Sequence, residues 1–409
     1  MATAPVLARG INKTVVISAE TTLATQAAGP GQALRRTGAN INLNVQEVAS
    51  QEILPSQQVR DSRQGSRGVQ GTIAGQLTPA TYKDLFQGLL RGTFTSGATA
   101  TLSDGVITVS GTTGAITFTG TTTPDHFMTT NNLKVGDVFR WTNIPTAGDN
   151  GVNLRIASLT DTVVNVIANS AITASSAGAG ETITVVGKKL TIPQTGQVER
   201  SYTIEEWYAD IGESILWLGN RITQMSINIP PSGFVMMQAS LQGVSMAKSS
   251  SQVYVSPTPI TSTKGLTAVA GKVSYGGVDL GIITGMNIVV AADVSAPPIV
   301  GSQYVADVFV GTIQVTGSFT ALLANDTMTA DFLNEAEVQL AVLLTTDPSA
   351  TADFIAITLP RVKLTAMTRT DGDKEISRSF NFRALEQSVL GGLGTAYDAT
   401  SIVVQDSLA

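Results

Sequence analysis

A chain of 409 residues with 43% hydrophobic side chains has material for the cores of two or three ordinary domains, which argues against disorder. Only 14% of the residues are charged, against about 25% in an average soluble domain, and the formal net charge of −6 argues against a surface that grips nucleic acid. With no cysteine, disulfides, thiolate chemistry and cysteine-based metal sites are excluded. Low charge with ample hydrophobicity suits a protein whose surface is largely covered by neighbouring copies.

From the N-terminus, Met1-Ala2-Thr3-Ala4-Pro5 lacks a basic region followed by an apolar core, so no signal peptide is expected. No run of about 18 apolar residues suggests a membrane span, and a soluble protein made in the cytoplasm is expected. Asn40-Ile41-Asn42-Leu43-Asn44-Val45 alternates polar and apolar, the period of a half-buried strand. The densest charge run follows, Arg60-Asp61-Ser62-Arg63-Gln64-Gly65-Ser66-Arg67. It reads either as a polar hairpin loop whose Arg forks meet a neighbour's carboxylates, or as a solvated turn between two strands. Thr78 as cap and Pro79 at the first helical position, then Tyr82, Leu85, Phe86, Leu89 and Leu90, predict a helix stopped at Gly92.

Residues 93–197 are rich in Thr, Gly, Ser and Ala. Short β patterns (Gly105 to Val109, Thr182 to Val186) and turns such as Pro145 to Gly151 predict a small all-β domain inserted into a surface loop. Alternation resumes at Gln224 to Ile229, then less regularly at Val308 to Val315 and Ala352 to Leu364. A second helix is predicted from about Asn325 to Glu337, capped by Asp326 or Thr327, with Met328, Phe332 and Leu333 on one face. Gly391-Gly392-Leu393-Gly394 reads as a flexible turn before a C-terminal arm.

An internal repeat relates the two halves. Ser56-Gln57-x-Val59-x-Asp61-x3-Gly65-x3-Val69-x-Gly71 recurs as Ser302-Gln303-x-Val305-x-Asp307-x3-Gly311-x3-Val315-x-Gly317. Upstream, Thr37-Gly38-x-Asn40-Ile41 matches Thr284-Gly285-x-Asn287-Ile288; downstream, Lys83 to Phe86 lies opposite Ala330 to Leu333. Arg221-Ile222 is loosely aligned with Arg361-Val362. Two copies of one β-rich domain are expected, the first interrupted by the insert.

Catalytic constellations fail on spacing or partners. The single histidine, His126, could pair with Asp125, but neighbours on a strand face opposite ways, so it reads as a structural or surface residue. Gly265 to Lys272 misses the phosphate-loop spacing, and Val273 stands where a magnesium-holding hydroxyl is needed. Gly178-x-Gly180 lacks a third glycine, and no G-x-S-x-G elbow occurs. Asp347, Asp353, Asp371 and Asp373 lack the tight spacing of a calcium loop and read as turn acids. No enzyme activity, cofactor or metal is expected.

An arm running into Leu34-Arg35-Arg36-Thr37-Gly38 and a strand is followed by Ser50-x-Glu52-Ile53 and the basic stretch to Gly68. With Val69-x-Gly71-x-Ile73, Leu77-Thr78-Pro79-x-Thr81-Tyr82, Ser201 to Glu206 and Gly219-Asn220-Arg221-Ile222, this order resembles the tail tube proteins of long-tailed, siphovirus-type phages. The resemblance implies two tandem tube-type β-sandwich or barrel domains with flanking helices and no catalytic residues. The expected map is a first tube domain over 1–92 and 198–254, an inserted decoration domain over 93–197, a second tube domain over 255–386, and an arm over 387–409. It further implies trimeric, pseudo-hexameric rings stacked around a lumen that DNA traverses without specific binding, in a virion tail that also holds tape measure, terminator and baseplate proteins. Arg60, Asp61, Arg63 and Arg67 become candidates for contact between rings. A capsid decoration or pilus-like subunit is the alternative; a carbohydrate-binding module is disfavoured because the insert has one Trp, Trp141, and no Tyr.

Overall fold

The computed structural model describes residues 6–53, 55–101, 106–109, 115–119, 126–143, 147–168, 175–177, 180–370 and 375–409. The first half opens with β1 (Lys13–Ala19), β2 (Gln32–Ala33), β3 (Gly38–Ala49), β4 (Ser62–Gln76), α1 (Lys83–Leu90) and β5 (Thr95–Ser96). An eight-stranded antiparallel sheet follows: β6 (Thr99–Thr101), β7 (Val106–Val109), β8 (Ala115–Thr119), β9 (Val138–Thr142), β10 (Leu154–Leu159), β11 (Val163–Ala168), β12 (Ser175–Ala177) and β13 (Thr182–Val185). The chain returns through β14 (Lys188–Thr191), β15 (Tyr202–Tyr208), β16 (Glu213–Ile229), β17 (Met236–Gly243) and β18 (Ser245–Ser249). The second half comprises β19 (Thr267–Tyr275), β20 (Val278–Asp279), β21 (Ile283–Ser295), β22 (Phe309–Leu322), α2 (Thr327–Leu333), β23 (Val338–Thr345), β24 (Phe354–Thr370), β25 (Ser377–Ala384) and β26 (Val403–Asp406). The protein is mainly β, as its period-2 patterning predicts.

Eight long strand segments lie side by side in the order β3-β4-β17-β16-β21-β22-β25-β24, and the first four repeat in the last four. The register is the same in both halves. Gly71 pairs with Ile41 on one side and Leu241 on the other; Gly317 pairs with Ile288 and Phe382. Even the irregularities recur: one falls between Val45 and Glu47 and again between Ala292 and Val294, another between Ile222 and Gln224 and again between Leu364 and Ala366. This register aligns Ile222 with Leu364 and Arg221 with Lys363, correcting the sequence alignment of Arg221-Ile222 with Arg361-Val362 by two residues. Alternating patterns match equally well after a slip of two, because such a slip preserves the buried face. The halves are joined by pairing of β16 with β21, from Gln224↔Ala291 to Ile229↔Met286. One face buries Ile41, Val69, Ile73, Met225, Ile227, Met237, Ile288, Val290, Phe319, Phe380 and Phe382 in a single core, which α1 also enters through Leu85, Phe86, Leu89 and Leu90.

Both helices are shorter than predicted. Ala80 adopts a left-handed φ of 65°, which interrupts any helix begun at Pro79, and its N–H donates to Asp406 (2.8 Å). Thr78 hydrogen-bonds Thr81 rather than capping, α1 starts at Lys83, and Arg91, at φ 54°, closes it in place of Gly92. In α2 the Asp326 side chain accepts from Arg378 (2.9 Å) instead of capping, and Leu333 is exposed rather than packed with Met328.

The placement of the charge run changes as well. Residues 62–67 lie in β4, paired with Val45 to Ala49, so the connecting turn precedes most of the charge run. The Gly391 to Gly394 turn is contacted from the inserted segment: Lys134 Nζ donates to the carbonyls of Gly392 and Thr395 (2.5 and 2.6 Å). Beyond it β26 is inserted between β14 and β24, with all four residues buried.

The eight-stranded sheet rests on the second half of the chain. Val138 packs with Leu343, Phe354 and Ala356, and Gln405 bridges backbones: its Oε1 accepts from Val138 N–H (2.9 Å), its Nε2 donates to Val138 and Val186 carbonyls (2.7 and 2.8 Å). The neighbouring strands β5 and β14 pair with each other and, through β26, with the large sheet. Lys189 on β14 lies between Asp137 (2.5 Å) and Asp398 (2.8 Å); burial alone would depress its ammonium, but the two carboxylates push it up to about 12.

Candidate functional site

Strand alternation places amides and hydroxyls on the sheet face opposite the core. Asn40, Asn42, Asn44, Gln70, Thr72 and Gln242 line one shallow groove of the first half, where Asn44 Nδ2 donates to Gln70 Oε1 (2.8 Å). Thr316, Ser318, Asn381 and Arg383 line the matching groove of the second. Where the halves meet, Gln224, Ser226 and Asn228 continue the surface. Amide and hydroxyl groups offer both donors and acceptors without fixed charge; in the second half Arg383, with Lys363 opposite it on β24, adds cations to this face.

The two ends of the eight-strand array are free edges. Among the described residues β3 pairs only with β4, and residues 363–370 of β24 pair only with β25. Unpaired N–H and C=O rows of this length are templates for another strand.

The hairpin carrying the charge run separates its members. Arg60 and Arg63 are exposed, in surface contact with Glu52 (3.2 Å) and Asp61 (3.4 Å) respectively. Arg67 is engaged inside the chain: its N–H donates to the Gln303 carbonyl (2.7 Å) and its guanidinium lies 6.0 Å from the Tyr304 ring centre. Asp61 is exposed, whereas its repeat partner Asp307 is held by Arg221 at 3.0 Å across the junction of the halves, with Glu199 on the other side of the same guanidinium (2.5 Å). Sequence reasoning missed Arg221, Asp307 and Lys363 as a related set; the repeat carried the signal, but only the correct register aligns it.

His126 lies 3.8 Å from Asp161, at the surface of the inserted sheet; Asp125 is outside the described residues. Asp347 accepts from Ser349 N–H (3.0 Å) beside Lys264, and Asp353 contacts Ser407 (3.5 Å), so each has a structural neighbour. Met1 to Pro5, Gly105, Pro145, Thr146, Gly178, Asp371 and Asp373 also lie outside the described residues. No group of three or more His, Cys, Asp or Glu residues placed to hold a metal occurs among the described residues.

A family model described as phage tail tube protein matches residues 10–384. No curated protein matches the chain.

Proposed function

Because the chain belongs to the phage tail tube protein family and is a structural component of the virion tail, we propose that three copies close into a ring of six tube-type units and that rings stack into the tube. The observation that carries this reading is the eight-strand array: two equivalent halves, already paired edge to edge, with a free edge at each end. Closing such an array on itself leaves no edge, the usual solution to the hazard that free edges pose.

In the closed ring the amide-rich face lines the lumen, since the opposite face is occupied by the core and the helices. DNA passes over a surface that is mostly amide and hydroxyl, with Arg383 and Lys363 of each chain as sparse cations rather than the dense phosphate contacts that would grip it. The eight-stranded insert decorates the outside, and Arg60 and Arg63, on an exposed hairpin, reach the adjacent ring. Tape measure, terminator and baseplate proteins are the partners of such a tube at its lumen and ends.

Electron micrographs of the purified protein, with a reconstruction free of imposed symmetry, test this reading. Tubes with three chains per ring are expected. A monodisperse monomer at high concentration, or six chains per ring, overturns it.

A further inference from the structure

The junction between the halves shows how two tube-type units join, and the free edges present the same strands again. We propose that residues 366–370 of β24 pair with residues 40–44 of β3 in a second copy of this chain, in the register that β16 and β21 already use within the chain. This deepens the ring-closure reading above and rests on it.

The register follows from the equivalence of the two halves. Within the chain Gln224, Met225, Ser226, Ile227 and Asn228 face Ala291, Val290, Val289, Ile288 and Asn287. The matching irregularities align these with Ala366, Met367, Thr368, Arg369 and Thr370 on β24 and with Asn44, Leu43, Asn42, Ile41 and Asn40 on β3. The junction between chains therefore sets Met367 against Leu43 on the core face and Thr368 against Asn42 on the polar face. A second, independent relationship agrees. Arg221 holds Asp307 across the internal junction; their equivalents are Lys363 and Asp61, opposite charges that the same docking brings together between chains. Asp61 thereby becomes a contact within the ring rather than between rings.

One position differs in kind. Ile227 is buried at the internal junction, but its equivalent on the free edge is Arg369, which is exposed. Arg369 shares the face of Met367, so in an isolated chain it puts a charge where an apolar strand would otherwise invite indiscriminate pairing. The internal junction forms once, on folding; the external one is kept from forming until a correct partner edge arrives.

The lack of cysteine makes the register directly readable. Asn42→Cys with Thr368→Cys, oxidised after assembly, should shift most of the protein to covalent two- and three-chain species on a non-reducing denaturing gel. Ser226→Cys with Val289→Cys, the same geometry inside one chain, should oxidise without a change in chain number and certifies the chemistry. Preferential oxidation of a slipped pair, Thr368→Cys with Asn40→Cys or Asn44→Cys, overturns the register while leaving ring formation intact. So does failure of the 42/368 pair in tubes whose internal pair oxidises. Absence of rings or tubes from the unmodified protein instead refutes the functional reading beneath it. Arg369→Ile should lower the concentration at which tubes appear by several-fold; an unchanged or higher threshold removes the guarding role from Arg369.

Discussion

Arg221 in the first half of the chain holds Asp307 in the second at 3.0 Å, with its guanidinium largely buried and a second carboxylate, Glu199, at 2.5 Å. The pair reinforces a junction between the two halves that the backbone hydrogen bonds of β16 with β21 already join. Removing the cation leaves two carboxylates facing each other in a partly shielded site. Arg221→Ala should therefore lower stability by about 2 kcal/mol, and Arg221→Lys by less, because the bidentate geometry but not the charge is lost. Denaturant unfolding of both variants checks the order.

Gly71 and Gly317 are required by close packing rather than by backbone freedom. A Cβ on Gly71 would stand 2.6 Å from the Asn40 carbonyl oxygen; one on Gly317 would meet both the Asn287 carbonyl and the Phe382 ring. Either change to Ala should cost roughly 1–3 kcal/mol, with Gly317→Ala the worse. Gly68→Ala, on the same strand as Gly71 with open space around it, should leave the unfolding midpoint unchanged.

The arginines of the charge run should separate by phenotype. Arg60→Ala with Arg63→Ala leaves the folded chain and its rings intact, since both side chains sit in exposed surface pairs worth little to stability, but shortens the tubes. Arg67→Ala instead lowers stability by about 1 kcal/mol through its lost stacking on Tyr304. Tube length in micrographs and thermal unfolding distinguish the two classes; normal tubes from the Arg60/Arg63 variant return those residues to the solvated-turn reading.

Deletion of the insert should depend sharply on where it is cut. Replacing residues 98–186 with a Gly/Ser linker keeps β5 paired with β14 and β14 paired with β26, and tubes should still form. Replacing 93–197 removes β14 and Lys189, exposes one side of β26, and should give poorly soluble chains. Both deletions uncover Leu343, Phe354 and Ala356, so Val138 loses its role as their cover in each, and only the second also loses the strand. Sedimentation and micrographs of the two proteins side by side decide this.

Asp406 supplies a pH dependence with a definite sign. Burial raises its carboxyl to about 6, opposed by N–H donors from Leu408 and Ala80 and reinforced by Asp353. The folded chain therefore holds this proton more tightly than the unfolded chain, where an aspartate titrates near 3.9. The group's contribution to stability accordingly rises as pH falls from about 7 towards 4. The stability difference between wild type and Asp406→Asn should shift in favour of the wild type over that window. A difference that stays constant with pH would show that Asp406 titrates normally.

Much of this architecture is written locally. Alternation at Asn40 to Val45 and Gln224 to Ile229 specifies strands with one apolar face, because side chains on a strand point to opposite sides whatever lies next to it. The repeat is equally legible, since Ser56-Gln57 and Gly71 recur at Ser302-Gln303 and Gly317 in the same order. What could not be read is which strand meets which, and in what register. A two-residue slip leaves every buried face buried, so Arg221 could be aligned with Arg361 until pairing across four strands aligned it with Lys363. Helix ends, too, were decided from a distance: Asp406 holds Ala80 in place and Arg378 draws Asp326 from its cap, contacts that span hundreds and tens of residues of chain. The same holds for the charge run, whose composition is uniform while its surroundings are not. Only the approach of Tyr304 and Gln303 ties the half-buried Arg67 to the second half of the chain, while Arg60 and Arg63 stay exposed.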